Sequence, residues 1–194
     1  MTGASSSLAE AISAIFNAPL VTFYTFLFSI LTLSPPGIPL LVSLTAFFGT
    51  ILPMGIIYFM LKGGMLKDIY ASERSSRLKP FLGAVISYLL GLIALIAVSA
   101  PELITVLMAG YLVNTLIMML ITLRWKISIH ASGIAGPATY LVYVFGIHMW
   151  PAFLFIIPVG WARLKLKAHT PSQVAVGFLL TVLLTFLQLF IYLR

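Results

Sequence analysis

Two histidines at the ends of basic segments are the residues in this chain best suited to chemistry. His130 follows Lys126 in the segment KISIHASG, and His169 follows Arg163 in the segment ARLKLKAHTPSQV. A pair of histidines can divide phosphoryl transfer between them, because one imidazole attacks phosphorus while the other protonates the leaving oxygen. Nearby Arg and Lys side chains hold the non-bridging oxygens and offset the charge of the transition state. These residues predict chemistry on a phosphate group without a metal ion.

The distribution of positive charge also indicates an anionic ligand. All but one of the eleven Lys and Arg residues fall within three short stretches, at 62–79, 124–126 and 163–167. Long uncharged apolar segments separate these stretches, and each interval has room for an even number of membrane spans. The three stretches can therefore reach the same face of a membrane and converge there.

The elements that must position these residues are membrane helices. The chain is 61% hydrophobic and 8% charged, with a mean hydropathy of +1.14, which is far outside the range of a soluble domain. This composition predicts an all-α fold, a polytopic transmembrane helix bundle with about six or seven spans, in a single domain over residues 1–194. Residues 3–16 could form an interfacial helix, and Pro158 interrupts the shortest span. The spans are predicted near 17–34, 38–61, 81–100, 102–123, 131–148, 150–163 and 171–193.

The basic stretches also give the expected orientation. If Lys67, Arg74 and Arg163 are set aside as ligand-binding groups, seven Lys and Arg residues remain on their face, and only Arg194 lies on the other. Because cytoplasmic loops carry an excess of Lys and Arg, we expect the site to face the cytoplasm. We expect a multi-pass protein of the lipid bilayer, in the plasma membrane of a prokaryote.

Three segments of the chain resemble the motifs of the type 2 phosphatidic acid phosphatase superfamily, a family of integral membrane lipid phosphate phosphatases. That family carries a Lys, six residues and Arg-Pro; then Pro-Ser-Gly-His; then Ser-Arg, five residues, His, three residues and Asp. The resemblance extends over about residues 67–180, and the N-terminal third adds nothing specific to it. Proline is absent from the first motif, and the matching residues are Lys67 and Arg74, Ser128 and His130, and Arg163 and His169, with Gln173 in place of the Asp.

The resemblance implies a role for each matched residue. His169 would be the nucleophile that forms a phosphohistidine, and His130 would be the general acid that protonates the leaving group. Gln173 would accept a hydrogen bond from the ring of His169, although it supplies none of the charge that an Asp would. The phosphate would be bound by Lys67, Arg74, Ser128 and Arg163, and by Arg77 in another alignment of the first motif.

The activity that the resemblance implies is that of a lipid phosphatase, an enzyme acting on phosphoric monoester or diphosphate bonds. The membrane lipid substrate would be an isoprenyl diphosphate, phosphatidate or phosphatidylglycerophosphate. No metal or other cofactor and no nucleic acid is expected to take part, and formation of a homo-oligomer stays open. The alternative is a catalytically degenerate membrane protein that binds or transports a lipid or an anionic ligand.

The scarcity of acidic residues excludes rival classes of enzyme. With four Asp and Glu residues in all, the chain lacks the Asp clusters with which membrane prenyltransferases and alcohol phosphatidyltransferases hold Mg²⁺. It also lacks the His-Glu helix motif of zinc proteases. Structural roles remain as alternatives at single positions. His169 could cap the helix that starts at Pro171, and Lys165 and Lys167 could extend toward lipid headgroups.

Overall fold

Helices account for the regular structure in the part of the chain that can be described. The computed structural model describes residues 2–66, 68 and 74–194, and no strand occurs among them. The prediction of an all-α fold is therefore confirmed. In chain order the elements are α1 (Thr2–Ile15), α2 (Ala18–Leu33), α3 (Ile38–Ala46), a π-helical segment (Phe47–Ile51), α4 (Leu52–Lys62), a 3₁₀ segment (Ser75–Arg77), α5 (Leu78–Ala97), α6 (Glu102–Thr122), α7 (Ile129–Phe145), a second 3₁₀ segment (Ile147–Phe155), α8 (Ile156–Lys165) and α9 (Pro171–Tyr192).

Several helices are long enough to cross a membrane. The bent pair α1 and α2, which meet at 48°, adds one more crossing if both form a single span. The predicted span at 131–148 corresponds to α7, whose 17 residues give a length of about 26 Å, slightly less than the roughly 30 Å of a hydrocarbon core. The chain is thus a multi-span helical membrane protein. Among the described residues, five helical stretches are long and apolar enough to span: Ile38–Lys62, Leu78–Ala97, Glu102–Thr122, Ile147–Lys165 and Pro171–Tyr192.

The segment after α7 changes its type of helix near two prolines. The 3₁₀ segment Ile147–Phe155 contains Pro151, and α8 follows directly with Pro158 in its first turn. Proline lacks the N–H group that the interior of an α-helix needs, whereas in a first turn that N–H has no intrahelical partner anyway. Pro158 therefore lies inside α8 without ending it: the helix type changes at Ile156, and Ile147–Lys165 is one helical stretch. Beyond it, α8 carries Arg163 in its last turn.

The residues group into two compact units. The first unit comprises Met1–Val21 and Lys126–Arg194, and the second comprises Thr22–Trp125. The N-terminal helix α1 therefore belongs with α7, α8 and α9, although most of the chain separates it from them in sequence. All three histidines of the protein lie in the first unit.

Apolar contacts fix α1 within the first unit. The ring of Phe16, just after α1, lies 5.1 Å from the ring of Phe155, measured between centroids. This ring contact and the core around it hold the end of α1 against the start of α8. Three buried side chains and three partly buried ones that pack on them form the core there: Val21, Ile134 and Val159, with Ile12, Phe16 and Ile156.

The start of α7 lies against the backbone of α9. A Cβ atom built on Gly177 would lie only 2.7 Å from the carbonyl oxygen of Ser128. Next to this contact, the backbone N–H of Ser128 donates to the carbonyl oxygen of Gln173 over 3.2 Å. One turn further on, the hydroxyl groups of Thr181 and Ser132 lie 2.8 Å apart. The absence of a side chain at position 177 is thus what allows α7 and α9 to meet so closely.

Gly177→Ala is expected to destabilise the first unit by about 1–3 kcal/mol, as overpacking of a well-packed core does. The new methyl group would overlap a backbone oxygen, which cannot rotate away as a side chain could. Thermal unfolding in detergent should show a lower midpoint than that of the unmodified protein. Gly160→Ala in α8 is the matched control, because its Cβ would meet only Val174 Cγ1, at an ordinary 3.5 Å. Equal midpoints for the two variants would contradict the close approach of α7 and α9.

The second unit contains a π-helical segment between α3 and α4. In a π-helix the backbone N–H groups donate to carbonyls five residues back, as the N–H of Leu52 does to Phe47 O. Here the hydroxyl of Ser87 donates to the carbonyl oxygen of Phe48 over 2.6 Å. Gly91 allows the close contact with α5, since a Cβ there would lie 2.7 Å from Phe48 Cβ. This unit carries the arginines of the first motif.

Candidate functional site

His169 lies in a tight turn between α8 and α9. The turn is a Schellman motif, in which the N–H of Ala168 donates to Arg163 O over 3.0 Å and the N–H of Lys167 donates to Leu164 O over 2.9 Å. Lys167 occupies the left-handed position of that motif with φ 50°, where glycine is more usual. The N–H of His169 also donates to Arg163 O, over 3.3 Å. The end of α8 thereby places the histidine directly beside the last turn that carries Arg163.

The ring of His169 is oriented by Gln173. Oε1 of Gln173 lies 3.1 Å from Nδ1 of His169 and accepts a hydrogen bond from the backbone N–H of Thr170 over 3.2 Å. Because a backbone N–H can only donate, the amide atom that faces it must be the oxygen. That oxygen offers only lone pairs to the ring, so Nδ1 must carry a hydrogen. In a neutral imidazole the lone pair then lies on Nε2.

Gln173 also starts α9. The hydroxyl of Thr170 accepts a hydrogen bond from the backbone N–H of Gln173 over 3.4 Å, and the two residues form a capping box. The N-cap of α9 is therefore Thr170, and the alternative in which His169 caps this helix is wrong. A single glutamine side chain both caps the helix and fixes the tautomer of the histidine, whose side chain is only 7% exposed.

The second motif forms the N-terminus of α7. Ser128 is fully buried and is the N-cap, with its hydroxyl accepting from the N–H of Ala131 over 3.4 Å. Its bond to Gln173 O brings the N-terminal ends of α7 and α9 together. His130 follows in the first turn of α7 and is 9% exposed. Because a helix N-terminus carries partial positive charge, the start of α7 favours an anion.

His130 and Arg163 meet at Ser13, a residue of α1 that no motif includes. Nε2 of His130 donates to the carbonyl oxygen of Ser13 over 3.2 Å, since a carbonyl can only accept. Nη1 of Arg163 donates to the hydroxyl oxygen of Ser13, also over 3.2 Å. Ser13 is fully buried. The N-terminal third, to which the motif resemblance assigns nothing, therefore supplies a residue at the centre of the site.

Only a weak sequence signal could have identified Ser13. Ala9 and Ser13 are small residues four positions apart in an apolar helix, and both are fully buried. Such spacing is typical of helices whose backbones approach a neighbour closely in a membrane. It indicates a packed face of α1 but does not indicate which side chains that face contacts.

The charged groups of the first unit favour an anion in this site. Arg163 is 1% exposed, whereas Lys165 and Lys167 are exposed, as lysines that extend to headgroups would be. The only carboxylate in the sequence of this unit is Glu10, and it is exposed. The buried polar side chains of this network thus include one guanidinium, two imidazoles and the hydroxyls of Ser13 and Ser128.

The first motif lies in the second unit and is described only in part. Lys67 falls outside the described residues, so its contact with phosphate stays a prediction. Arg74 is exposed, and its Nη1 donates to the carbonyl oxygen of Leu123 at the C-terminal end of α6. Arg77 is buried, with 3% of its surface exposed. Phosphate binding by Arg74, or by Arg77 in the alternative alignment of this motif, stays a prediction.

The first unit brings five of the predicted site residues into one hydrogen-bonded network. Over the described part of the chain, no three His, Asp or Glu side chains come together as metal ligands. Comparison of the chain with family models, with curated proteins and with solved structures gave no match. The functional interpretation therefore depends on the motif resemblance and on the geometry of this network, which contains Ser128, His130, Arg163, His169 and Gln173.

Proposed function

We propose that this chain is a membrane phosphatase that hydrolyses a phosphoric monoester or diphosphate bond on a lipid through a phosphohistidine. The observation that carries the proposal is the orientation of His169. Its Nδ1–H is held by Gln173 Oε1 at 3.1 Å, and that oxygen is itself fixed by the N–H of Thr170. A buried histidine held in this tautomer presents the lone pair of Nε2 as a nucleophile.

In the first step Nε2 of His169 attacks phosphorus, a P–N bond forms, and the P–O bond to the leaving group breaks. The leaving oxygen takes a proton from His130. That proton comes from Nδ1, because the hydrogen on Nε2 is donated to Ser13 O. The phosphorylated imidazole of His169 is stabilised by its Nδ1–H bond to Gln173, as the imidazolium of a catalytic triad is by its acceptor.

In the second step water attacks phosphorus and the electrons of the P–N bond return to Nε2 of His169. His130, now neutral, takes the proton of the water on Nδ1 and regains its starting state. This step releases inorganic phosphate, whereas the lipid alcohol, or the lipid monophosphate if the substrate is a diphosphate, was released in the first step. The guanidinium of Arg163 and the N-terminus of α7 offset the charge of the phosphoryl oxygens in both steps.

The membrane location of the site supports a lipid as the substrate. His169 lies between α8 and α9, at the end of the membrane-spanning stretch Pro171–Tyr192, and exposed Lys165 and Lys167 lie beside it. An isoprenyl or acyl tail would stay in the bilayer while the phosphate enters the cationic site. Isoprenyl diphosphates, phosphatidate and phosphatidylglycerophosphate all satisfy this requirement. We propose that the site faces the cytoplasm, because its loops carry the excess of Lys and Arg, and that the membrane is the plasma membrane of a prokaryote.

Phosphate release by the purified protein in detergent tests the proposal. The panel comprises isoprenyl diphosphates, phosphatidate and phosphatidylglycerophosphate, each assayed with and without EDTA. We expect release from at least one lipid, at a rate that EDTA leaves within about twofold, because histidine, arginine and the N-terminus of α7 supply the catalysis. A rate that EDTA abolishes and Mg²⁺ restores would contradict the mechanism. If folded protein releases phosphate from no lipid, the protein binds or transports its ligand instead.

A further inference from the structure

We infer that Ser13 is a positioning residue of this site: its two oxygens hold the phosphate-binding arginine and the general-acid histidine in place. The inference depends on the proposed function and extends it to α1, a helix outside all three motifs. Ser13 contacts no substrate in this proposal. It acts through Arg163 by its hydroxyl and through His130 by its backbone carbonyl.

The backbone contact is possible because α1 ends just after Ser13. The last four carbonyl groups of a helix lack intrahelical donors, and in α1 they belong to Ile12, Ser13, Ala14 and Ile15. Other groups supply three of them with donors. The N–H of Phe16 donates to Ile12 O over 2.9 Å, and Nδ2 of Asn17 donates to Ala14 O over 2.8 Å. His130 supplies the third donor, to Ser13 O.

The end of α1 is held firmly enough to serve as a support. The side chain of Asn17 links the end of α1 to the start of α2. Its Nδ2 donates to Ala14 O in the last turn of α1, and its Oδ1 accepts from the N–H of Leu20 over 2.9 Å. The packing of Phe16 on Phe155 adds an apolar contact with the segment that leads into α8. Ser13 therefore belongs to a helix end whose position is set independently of any ligand.

The polarity of α1 suits both of its partners. The C-terminal end of a helix carries partial negative charge and stabilises cations within its last turn. Arg163 is a cation, and His130 must be one before it can protonate the leaving group. Because Ser13 binds both Arg163 and His130, the two cationic side chains stay close enough to interact with the same phosphate group. The hydroxyl of Ser13 sets where the guanidinium group of Arg163 lies.

Ser13→Ala separates the two contacts, because it removes the hydroxyl and leaves the carbonyl that binds His130. A contact that only orients a phosphate-binding arginine acts equally on the bound substrate and on the transition state. We therefore expect KM for the lipid substrate, and the inhibition constant of inorganic phosphate, to rise by about tenfold, with kcat changed by less than about threefold. Ser7→Ala, an exposed serine in the same helix, is the matched control and should change neither constant.

A double-variant cycle excludes a merely structural effect. Combined with Arg163→Lys, Ser13→Ala should raise KM by no more than about twofold further, since its effect passes through the guanidinium group. If Ser13→Ala does not fold, Ser13→Cys makes the same comparison at nearly the same volume, because sulfur is a weak acceptor. A wild-type KM and phosphate inhibition constant in the variant, or a full tenfold effect that persists with Arg163→Lys, would overturn the inference. Failure of the unmodified protein to release phosphate would overturn the proposed function instead.

Discussion

His169→Ala is expected to lower the rate of phosphate release by at least about 10⁴-fold, because it removes the atom that forms the covalent intermediate. Alanine leaves the hydrogen bonds of the turn intact, since Ala168 and residue 169 bind Arg163 O through backbone N–H groups. The variant should therefore fold, and its thermal midpoint in detergent should stay close to that of the unmodified protein. The rate is measured on the lipid that gives the fastest release.

His148→Ala is the matched control for this prediction. His148 is exposed and lies in the 3₁₀ segment Ile147–Phe155, away from the turn that holds His169. Its replacement should leave the rate unchanged. With a substrate labelled at the transferred phosphate, protein quenched in alkali should carry label at His169 and lose it in His169→Ala. Equal activity of His169→Ala and His148→Ala would eliminate His169 as the nucleophile.

Much of the site could be predicted from the sequence because its residues lie in short motifs at the ends of helices. Arg163 and His169 lie on the two sides of the Schellman turn that ends α8. His169 and Gln173 lie on the two sides of the N-cap of α9. Local geometry of this kind follows from local sequence. The long-range meeting of Ser128 with Gln173 follows less directly, and it depends on a glycine at position 177.

The role of Ser13 could not be predicted, because it depends on the position of a whole helix. The sequence suggests a helix near residues 3–16 but gives no sign that it would pack with the C-terminal helices rather than along the membrane surface. The difference in surroundings between Arg74 and Arg77 is a similar case. The two arginines are three residues apart, and only the fold distinguishes the one that caps α6 from the one that is buried.

The span boundaries were predictable within a few residues because prolines and charges mark most of them. Pro101 separates α5 from α6, and Pro171 starts α9 behind its cap. The π-helical segment Phe47–Ile51 has no such signal, since nothing local in FFGTI distinguishes it from α-helix. A contact from another helix accompanies it, since the hydroxyl of Ser87 donates to Phe48 O.

Gln173→Leu is expected to lower kcat by about 10²-fold or more. Leucine has a similar size but no acceptor for Nδ1 of His169, so the ring loses the bond that selects its tautomer. Loss of the correct tautomer in a catalytic triad costs about 10⁴-fold, and the smaller effect here reflects an uncharged acceptor. Gln173→Glu should keep kcat at least at its original value, because a glutamate at this position preserves the capping box and adds charge near the ring.

Thr170→Val distinguishes orientation of the histidine from capping of the helix. It removes the hydroxyl that accepts from Gln173 N but keeps the N–H that binds Gln173 Oε1. Both Thr170→Val and Gln173→Leu should therefore lose about 0.5–2 kcal/mol of stability, the usual contribution of an N-cap. Only Gln173→Leu should also lower kcat. If the two variants are slowed equally, Gln173 acts by holding the start of α9, and the tautomer of His169 has another cause.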